Sequence, residues 1–270
     1  MRRGRLTCFS TRMLTLEDLA ELAEAHRDAL ECPIKSFALG ATHFGGETAP
    51  ALMGVVNRSP DSWYRESVCL TTERAIERAR LLRNQGAVLV DIGGESTLPD
   101  AERVDGDGQT ELLLPVVEAI GGDGGLVSVE TYHPDVAATC LEAGASVINL
   151  TGNEAAEEIY SLVAKHDAAV IICFVQGANV REVGDLDLSN DPMPILTEYF
   201  GREIERALTA GVQRIFIDPG LGFYYRNLED SADRVRHQMK VFLNTFRLRQ
   251  LGWPVCHALP HAFEYFGEEV

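Results

Sequence analysis

Leu89-Val90-Asp91-Ile92-Gly93-Gly94-Glu95-Ser96-Thr97 is a short apolar run that passes straight into two glycines and a cluster of polar side chains. A run of this length suits a strand buried on both faces. The residues after it set a carboxylate and two hydroxyls at the strand's C-terminal end. Gly93 and Gly94 carry no side chain, so a ligand can approach the backbone closely there. In α/β proteins that end of a parallel strand is where ligands bind. The stretch therefore predicts an α/β fold with its site at the strand tops.

The same rhythm recurs on both sides of it. Residues 51–57 read as a strand and 71–85 as a helix, with Ala75, Ala79 and Leu82 on one face and Gly86 closing it. Beyond lie a loop rich in Asp and Gly (99–108), a helix near 110–120, a strand at 126–130 and a helix from Pro134, a residue suited to a first turn, to Gly144. Strands at 146–150, 169–174, 214–218 and 255–259 alternate with helices at 154–165, 194–210 and about 230–250, and a polar loop fills 177–191. Seven βα-type units imply a parallel sheet with right-handed crossovers, and the natural closure is a TIM (β/α)8-type barrel. No eighth strand is legible after residue 259. Either the sequence is shortened at its C-terminus, the barrel is open, or chain from elsewhere fills the gap; because an open edge leaves backbone groups unpaired, the N-terminal helix, a second copy in a homodimer or a partner chain is expected to cover it.

Residues 1–36 read as an N-terminal extension with one amphipathic helix at 14–30, its apolar positions at Leu16, Leu19, Leu22 and Ala23. The barrel domain is assigned to 37–270. Its first segment, 37–46, reads as a hairpin or irregular cover that plugs one end.

Composition narrows the function. A chain of 270 residues with 46% hydrophobic side chains can fill one barrel-sized core. A formal charge of −17, from 41 acidic and 24 basic residues, argues against nucleic acid and for a small-molecule ligand. Lys35, Lys165 and Lys240 are the only lysines, so candidates for a catalytic cation are few. The six cysteines are scattered without a Cys-x-x-Cys pair, which suggests reduced thiols and a cytoplasmic location. No apolar run reaches the length of a membrane span, and the basic start is followed by no secretory-type apolar stretch.

Asn57, Asp91 with Glu95 and Thr97, Glu130, Asn149, Gln176 and Asp218 all fall at the C-terminal ends of expected strands. A helix cap or a loop hydrogen bond accounts equally well for any one of them. Their coincidence at one end points to a pocket lining.

Several of these residues sit in longer motifs. They are Met53-Gly54-Val55-Val56-Asn57-Arg58-Ser59-Pro60-Asp61-Ser62-Trp63, Asp91-Ile92-Gly93-Gly94-Glu95-Ser96-Thr97, Ser128-Val129-Glu130-Thr131, Val147-Ile148-Asn149, Val175-Gln176-Gly177 and Asp218-Pro219-Gly220-Leu221-Gly222-Phe223. With Leu251-Gly252-Trp253-Pro254-Val255, the chain resembles the dihydropteroate synthase family colinearly from about residue 37 to 263. The resemblance implies a condensation of a pterin pyrophosphate with p-aminobenzoate or a related aryl amine, releasing pyrophosphate. It implies that Asp91, Glu130, Asn149, Gln176 and Asp218 read the pterin edge and that Phe223 borders the ring. Asn57 is implied to help hold Mg²⁺ and pyrophosphate, with Asp61, Thr97, Ser59 and Ser96 on two loops that close over the site.

The departures lie on the side of the pocket that handles charge. Where the family's second loop has an arginine this chain has Leu98, its lysine after strand six aligns with Tyr225, and its lysine after strand seven aligns with His261. The family's C-terminal Arg-x-His anion segment has no counterpart before Val270, and Glu130 replaces the shorter Asp. Arg58 and Arg65, near the first loop, are the visible compensation and are expected to clamp an anion. The His257/His261 pair is read as polar strand-end residues and not as a zinc site, because Pro260 breaks regular spacing and a third ligand is lacking. The 100–107 loop lacks a calcium-loop pattern.

Three functions follow. The chain transfers a pterin-methyl group to an amine, or it is a non-catalytic pterin-binding or assembly relative, or it is a methyltetrahydrofolate-using methyltransferase. Asn57-Arg58-Ser59-Pro60-Asp61, a pyrophosphate-type loop, counts against the last.

Overall fold

The computed structural model describes residues 14–258 apart from 47, 63, 99, 100, 189, 190, 224 and 229. His261 and the rest of 259–270 lie outside the described residues, as do 1–13. Two short helices lead, α1 (Leu16–Ala25) and α2 (Arg27–Glu31), followed by the hairpin β1 (Phe37–Leu39) and β2 (Thr42–Phe44). The alternating body is β3 (Leu52–Asn57), α3 (Thr72–Asn84), β4 (Ala87–Gly93), α4 (Gly106–Gly122), β5 (Leu126–Thr131), α5 (Pro134–Glu142) and β6 (Val147–Leu150). It continues with α6 (Ala156–Lys165), β7 (Ala169–Cys173), α7 (Met193–Thr209), β8 (Ile215–Asp218) and α8 (Ser231–Asn244), then a 3₁₀ segment, Thr245–Leu251.

The sheet is parallel throughout, in the order β3-β4-β5-β6-β7-β8, and it curls as half of a barrel. Strands β4 to β8 are largely buried on both faces, which is why they read as near-continuous apolar runs, while the edge strand β3 buries alternate residues. Val56, Val90, Ile92, Val129, Ile148, Ile172 and Ile217 face outward and pack against the helices. Leu89, Val147, Ala169, Ile171 and Phe216 face inward, where Leu39 and Phe44 of the hairpin meet them. Phe216 takes Phe37 and Phe44 edge-on, at ring distances of 5.0 and 5.2 Å. The hairpin is therefore the floor of the curled sheet, as its sequence suggested.

Beyond β8 the expected seventh strand is reduced to one parallel bridge, Ile217 to Val255, made by Ile217 N to Pro254 O and Cys256 N to Ile217 O. On the far side, Cys69 N covers the upper edge of β3 by donating to Asn57 O at 2.8 Å. Between these lies a cleft of about 420 Å³ lined by Phe44, Met53, Phe216, Phe246, Val255 and Cys256 among others. Among the described residues no strand occupies it.

Two other expectations change. The single N-terminal helix breaks at His26 (φ −131°, ψ 35°), and α1 buries no residue, with Leu16 81% exposed. The α2 end docks instead on the C-terminal 3₁₀ segment, through Gln250 Nε2 to Asp28 Oδ2 (2.8 Å) and Arg249 Nη2 to Cys32 O (2.9 Å). Helix α4 starts inside the loop read from its Asp and Gly content, because Asp105 Oδ1 accepts from Gly108 N at 2.9 Å and caps it. Among the described residues no helix is long and apolar enough to cross a membrane.

Candidate functional site

Strand register sets Asp91 beside Ser128, Glu130 between Gly93 and Asn149, and Cys173 beside Asp218, all at the C-terminal half of the curl. Above the apolar floor the inward side chains thus become polar. The result is a well whose wall is formed by Asp91, Asn149, Cys173 and Asp218, with Asn57 and Glu130 at the rim.

Hydrogen bonds orient this wall. Asn149 Nδ2 donates to Asp91 Oδ2 at 3.1 Å while the Cys173 thiol donates to Asn149 Oδ1 at 3.1 Å, which fixes the amide. Asp91 Oδ1 is buried without a hydrogen-bond partner among the described residues. Asp218 Oδ1 accepts from Gly220 N at 2.7 Å. Gly220 is required there, since its φ is +74° and a Cβ would lie 2.4 Å from Phe174 O. Gly93 leaves room for two side chains, because a Cβ would lie 2.9 Å from Glu130 Oε2 and 3.2 Å from Asn57 Oδ1.

The well is strongly acidic. Burial raises the Asp91 pKa above the ordinary carboxylate range, partly offset by the neighbouring Ser128 hydroxyl and then by the Asn149 amide. Burial first, then Asp91, Glu95 and Asp218, push Glu130 up to about 8. Burial first, with Asp91 adding to it, pushes Asp218 up to about 6, opposed by the Gly220 amide. Burial also holds the Cys173 and Cys256 thiols far above their ordinary value, so both are neutral. Among the described residues no lysine, arginine or histidine bonds Asp91, Glu130 or Asp218.

Three loops form the rim. Asn57 Nδ2 donates to Ser62 Oγ (2.9 Å) and Ser67 Oγ (2.7 Å), which turns its Oδ1 toward Glu130 above Gly93. Asp61 joins the first loop to the second, accepting from Glu102 N at Oδ2 (3.1 Å) and from Ser96 Oγ at its carbonyl (3.3 Å). Ser59 Oγ accepts from Asp61 N at 3.3 Å, and Thr97 is half-buried in the second loop. Glu95 does not enter the well as a free carboxylate, since it accepts from Tyr132 Oη (2.6 Å) and Val104 N (3.1 Å) and pairs with Arg181 at 3.7 Å.

Three sequence expectations are not brought into the well. The Arg58 guanidinium donates to the carbonyls of Cys69 (2.8 Å) and Leu112 (3.3 Å), outside the sheet, where burial lowers its pKa. Arg65 is exposed and donates to Pro60 O at 2.9 Å, so the two arginines do not form a clamp. Gln176 Oε1 accepts from Asp187 N at 3.0 Å, bracing the loop after β7. Phe223 stays half-buried against both core layers beside Gly220. His257 shares a 2.6 Å hydrogen bond with Thr245 Oγ1, and no group of three metal-binding side chains is gathered among the described residues. Sequence reasoning missed Cys173, Tyr132 and Arg181. The first two occupy strand-end positions where the same logic finds them, whereas Arg181 sits in an aperiodic loop.

The chain resembles known proteins over most of its length. Residues 53–258 match a family described as pterin binding enzyme. The dihydropteroate synthase of Streptococcus pyogenes serotype M6 is 31% identical over 213 residues, covering 77% of this chain and 74% of that one. A probable bifunctional folylpolyglutamate synthase/dihydropteroate synthase of Haloferax volcanii is 34% identical over 227 residues, 81% of this chain and 26% of that one. Among solved structures, Xanthomonas albilineans dihydropteroate synthase with 4-aminobenzoic acid superposes with a TM-score of 0.69 at 28% identity, covering 87% of this chain and 82% of that one. The Thermus thermophilus enzyme in complex with 6HMPPP gives a TM-score of 0.66 at 27% identity, covering 87% and 83%. The chain belongs to the dihydropteroate synthase family of pterin-binding enzymes.

Proposed function

We propose that this chain binds the head of a pterin in the acidic well, on the plan of dihydropteroate synthase. One observation carries it: Asp91 Oδ1, buried and unpartnered, stands beside an amide fixed by Cys173 and opposite Asp218. A pterin's aminopyrimidinone edge offers a row of N–H donors and one carbonyl acceptor. Two carboxylates and an oriented amide complement that row. Glu130, protonated at neutral pH, supplies a donor the ionised acids cannot.

The reaction of this plan breaks the C–O bond from the pterin methyl carbon to pyrophosphate and forms a C–N bond to an aryl amine such as p-aminobenzoate. The amine proton and the pyrophosphate leave. Mg²⁺, when bound, would neutralise the departing phosphates, and the oxygen donors present fit a hard cation that keeps substrate phosphates and waters in its shell. Asn57 Oδ1 would hold it, since the amide's other end is committed to Ser62 and Ser67. A second reading, pterin binding without turnover, is favoured because among the described residues no lysine, arginine or histidine bonds Asp91, Glu130 or Asp218. In both, the curled sheet is part of a (β/α)8-type barrel.

Calorimetry with 6-hydroxymethylpterin, with and without pyrophosphate and Mg²⁺, tests the assignment. Binding that Asp218→Ala abolishes supports the well, and no binding at millimolar ligand rejects it. Pyrophosphate release on adding the pterin pyrophosphate and p-aminobenzoate selects transfer, and its absence selects the binder.

A further inference from the structure

Strand register sets one level of the curl at Val55, Asp91, Ser128, Val147 and Ala169, which share its inner face. Asp91 and Ser128 are the polar ones, and they are neighbours. Ser128 is 0% exposed, and its Oγ has no hydrogen-bond partner among the described residues. Asp91 Oδ1, on the paired position of β4, is likewise buried and unpartnered, while Oδ2 accepts from Asn149 Nδ2 at 3.1 Å. An orphan donor thus stands beside an orphan acceptor.

A hydroxyl sealed from water without a partner costs stability, and an alanine would hold this level without that cost. Val147, on the other side of Ser128, offers nothing to bond. Neighbouring strands lie about 4.8 Å apart, so rotation of the two side chains alone brings Oγ onto Oδ1. A carboxylate oxygen accepts more than one hydrogen bond, so Oδ1 can still take a donor from a ligand. The titratable groups that feel the Asp91 charge are Glu130 on β5, Cys173 on β7, Asp218 on β8 and Cys256 beyond it, and none of them is a cation. The Ser128 hydroxyl and the Asn149 amide are therefore the donors that can favour that charge.

We propose that Ser128 is a positioning residue for Asp91: its hydroxyl turns onto Oδ1 and, with the Asn149 amide on Oδ2, holds the carboxylate charged and in one orientation at the well. The hold on Asp91 stands on this geometry, and only its effect on a ligand rests on pterin binding there.

A carbon-13 NMR titration of the full, ligand-free chain tests it, with the Asp91 carboxyl assigned by its loss in Asp91→Asn. In Ser128→Ala the Asp91 midpoint should move up by about one pH unit or more, since one charge-assisted hydrogen bond to the ionised form is lost. Ser128→Cys, whose thiol is a weak donor, should fall between Ser128→Ala and the wild type. A merely structural serine would lower thermal stability on substitution and leave the midpoint in place. Calorimetry with 6-hydroxymethylpterin should show binding about tenfold weaker in Ser128→Ala, and no further loss when Ser128→Ala is added to Asp91→Asn. If Ser128→Ala does not fold, Ser128→Cys carries the same titration expectation. An unchanged midpoint in the variant that folds would overturn the positioning role. Failure of the wild type to bind pterin would reject the proposed function and leave the titration to decide the role of Ser128.

Discussion

Glu130→Gln offers the most direct test of the acidic well, because it removes one charge and keeps the side chain's size. Burial and three neighbouring carboxylates push Glu130 from an ordinary 4.5 up to about 8. The folded chain therefore holds a proton that the unfolded chain releases above pH 4.5. That contribution to stability is fully present below 4.5, declines across the window and is lost as pH rises through 8. At about 1.4 kcal/mol per tenfold change, the unscreened difference is about 5 kcal/mol. Glu130 is only half-buried, and water reaching its carboxylate reduces this to about 2–3 kcal/mol. Urea unfolding of wild type and variant at intervals from pH 5 to 9 measures it, and subtracting the two curves cancels the remaining acids. The two should be nearly equal at pH 5, with Glu130→Gln ahead by about 2–3 kcal/mol at pH 9. A difference that stays constant across that range would refute the crowded, desolvated carboxyl.

Three further outcomes follow from the geometry. Gly93→Ala places a Cβ 2.9 Å from Glu130 Oε2, the free end of a flexible side chain, so thermal melting should shift little while calorimetry shows pterin affinity falling about tenfold; unchanged affinity would remove Glu130 and Asn57 from the site. Burial pushes Asp218 up to about 6, and under the proposed function it accepts pterin donors as a carboxylate, so affinity should hold above pH 6 and weaken below it, and Asp218→Asn should flatten that profile. Phe216→Ala opens the floor between Phe37 and Phe44 and should cost about 3–5 kcal/mol in urea unfolding, whereas Phe216→Leu costs about 1.5 kcal/mol or less.

What the sequence disclosed and what it hid divide along the range of the interactions. Each strand of the curl is a local apolar run, and each polar residue at its end is a neighbour in sequence, so Asp91, Glu130, Asn149 and Asp218 were legible as one set. Partner choice was not legible. Arg58 and Arg181 are both arginines near glycine-containing loops, yet one is spent on the Cys69 and Leu112 carbonyls outside the sheet and the other reaches more than 80 positions back to Ser96 and Leu98. Nothing in the spacing distinguishes them, because both contacts depend on how helices and loops stack after folding. The start of α4 was hidden for a different reason, since Gly106 and Gly108 are poor helix formers and one cap at Asp105 overrides them.

The acids of the well make a case beyond resemblance. Asp91, Glu130 and Asp218 crowd a desolvated space in which Asp91 raises the pKa of both others and Asp218 that of Glu130, and a chain shaped for stability alone would hold apolar residues there, as it does one layer lower at Leu89, Val147 and Ile171. The transition from floor to well occurs within single strands, two residues apart, at Leu89 to Asp91 and Val147 to Asn149. A cost localised in this way points to a ligand that repays it with donors. An anionic tail cannot repay it, since it adds repulsion to a site without a cation among the described residues. Under the proposed function a pterin head would, and the pyrophosphate would then be met at the rim, where Asn57 and Ser59 stand. On that reading the binding half of the family's chemistry lies in the strands, while the leaving-group half depends on what the loops bring to that rim.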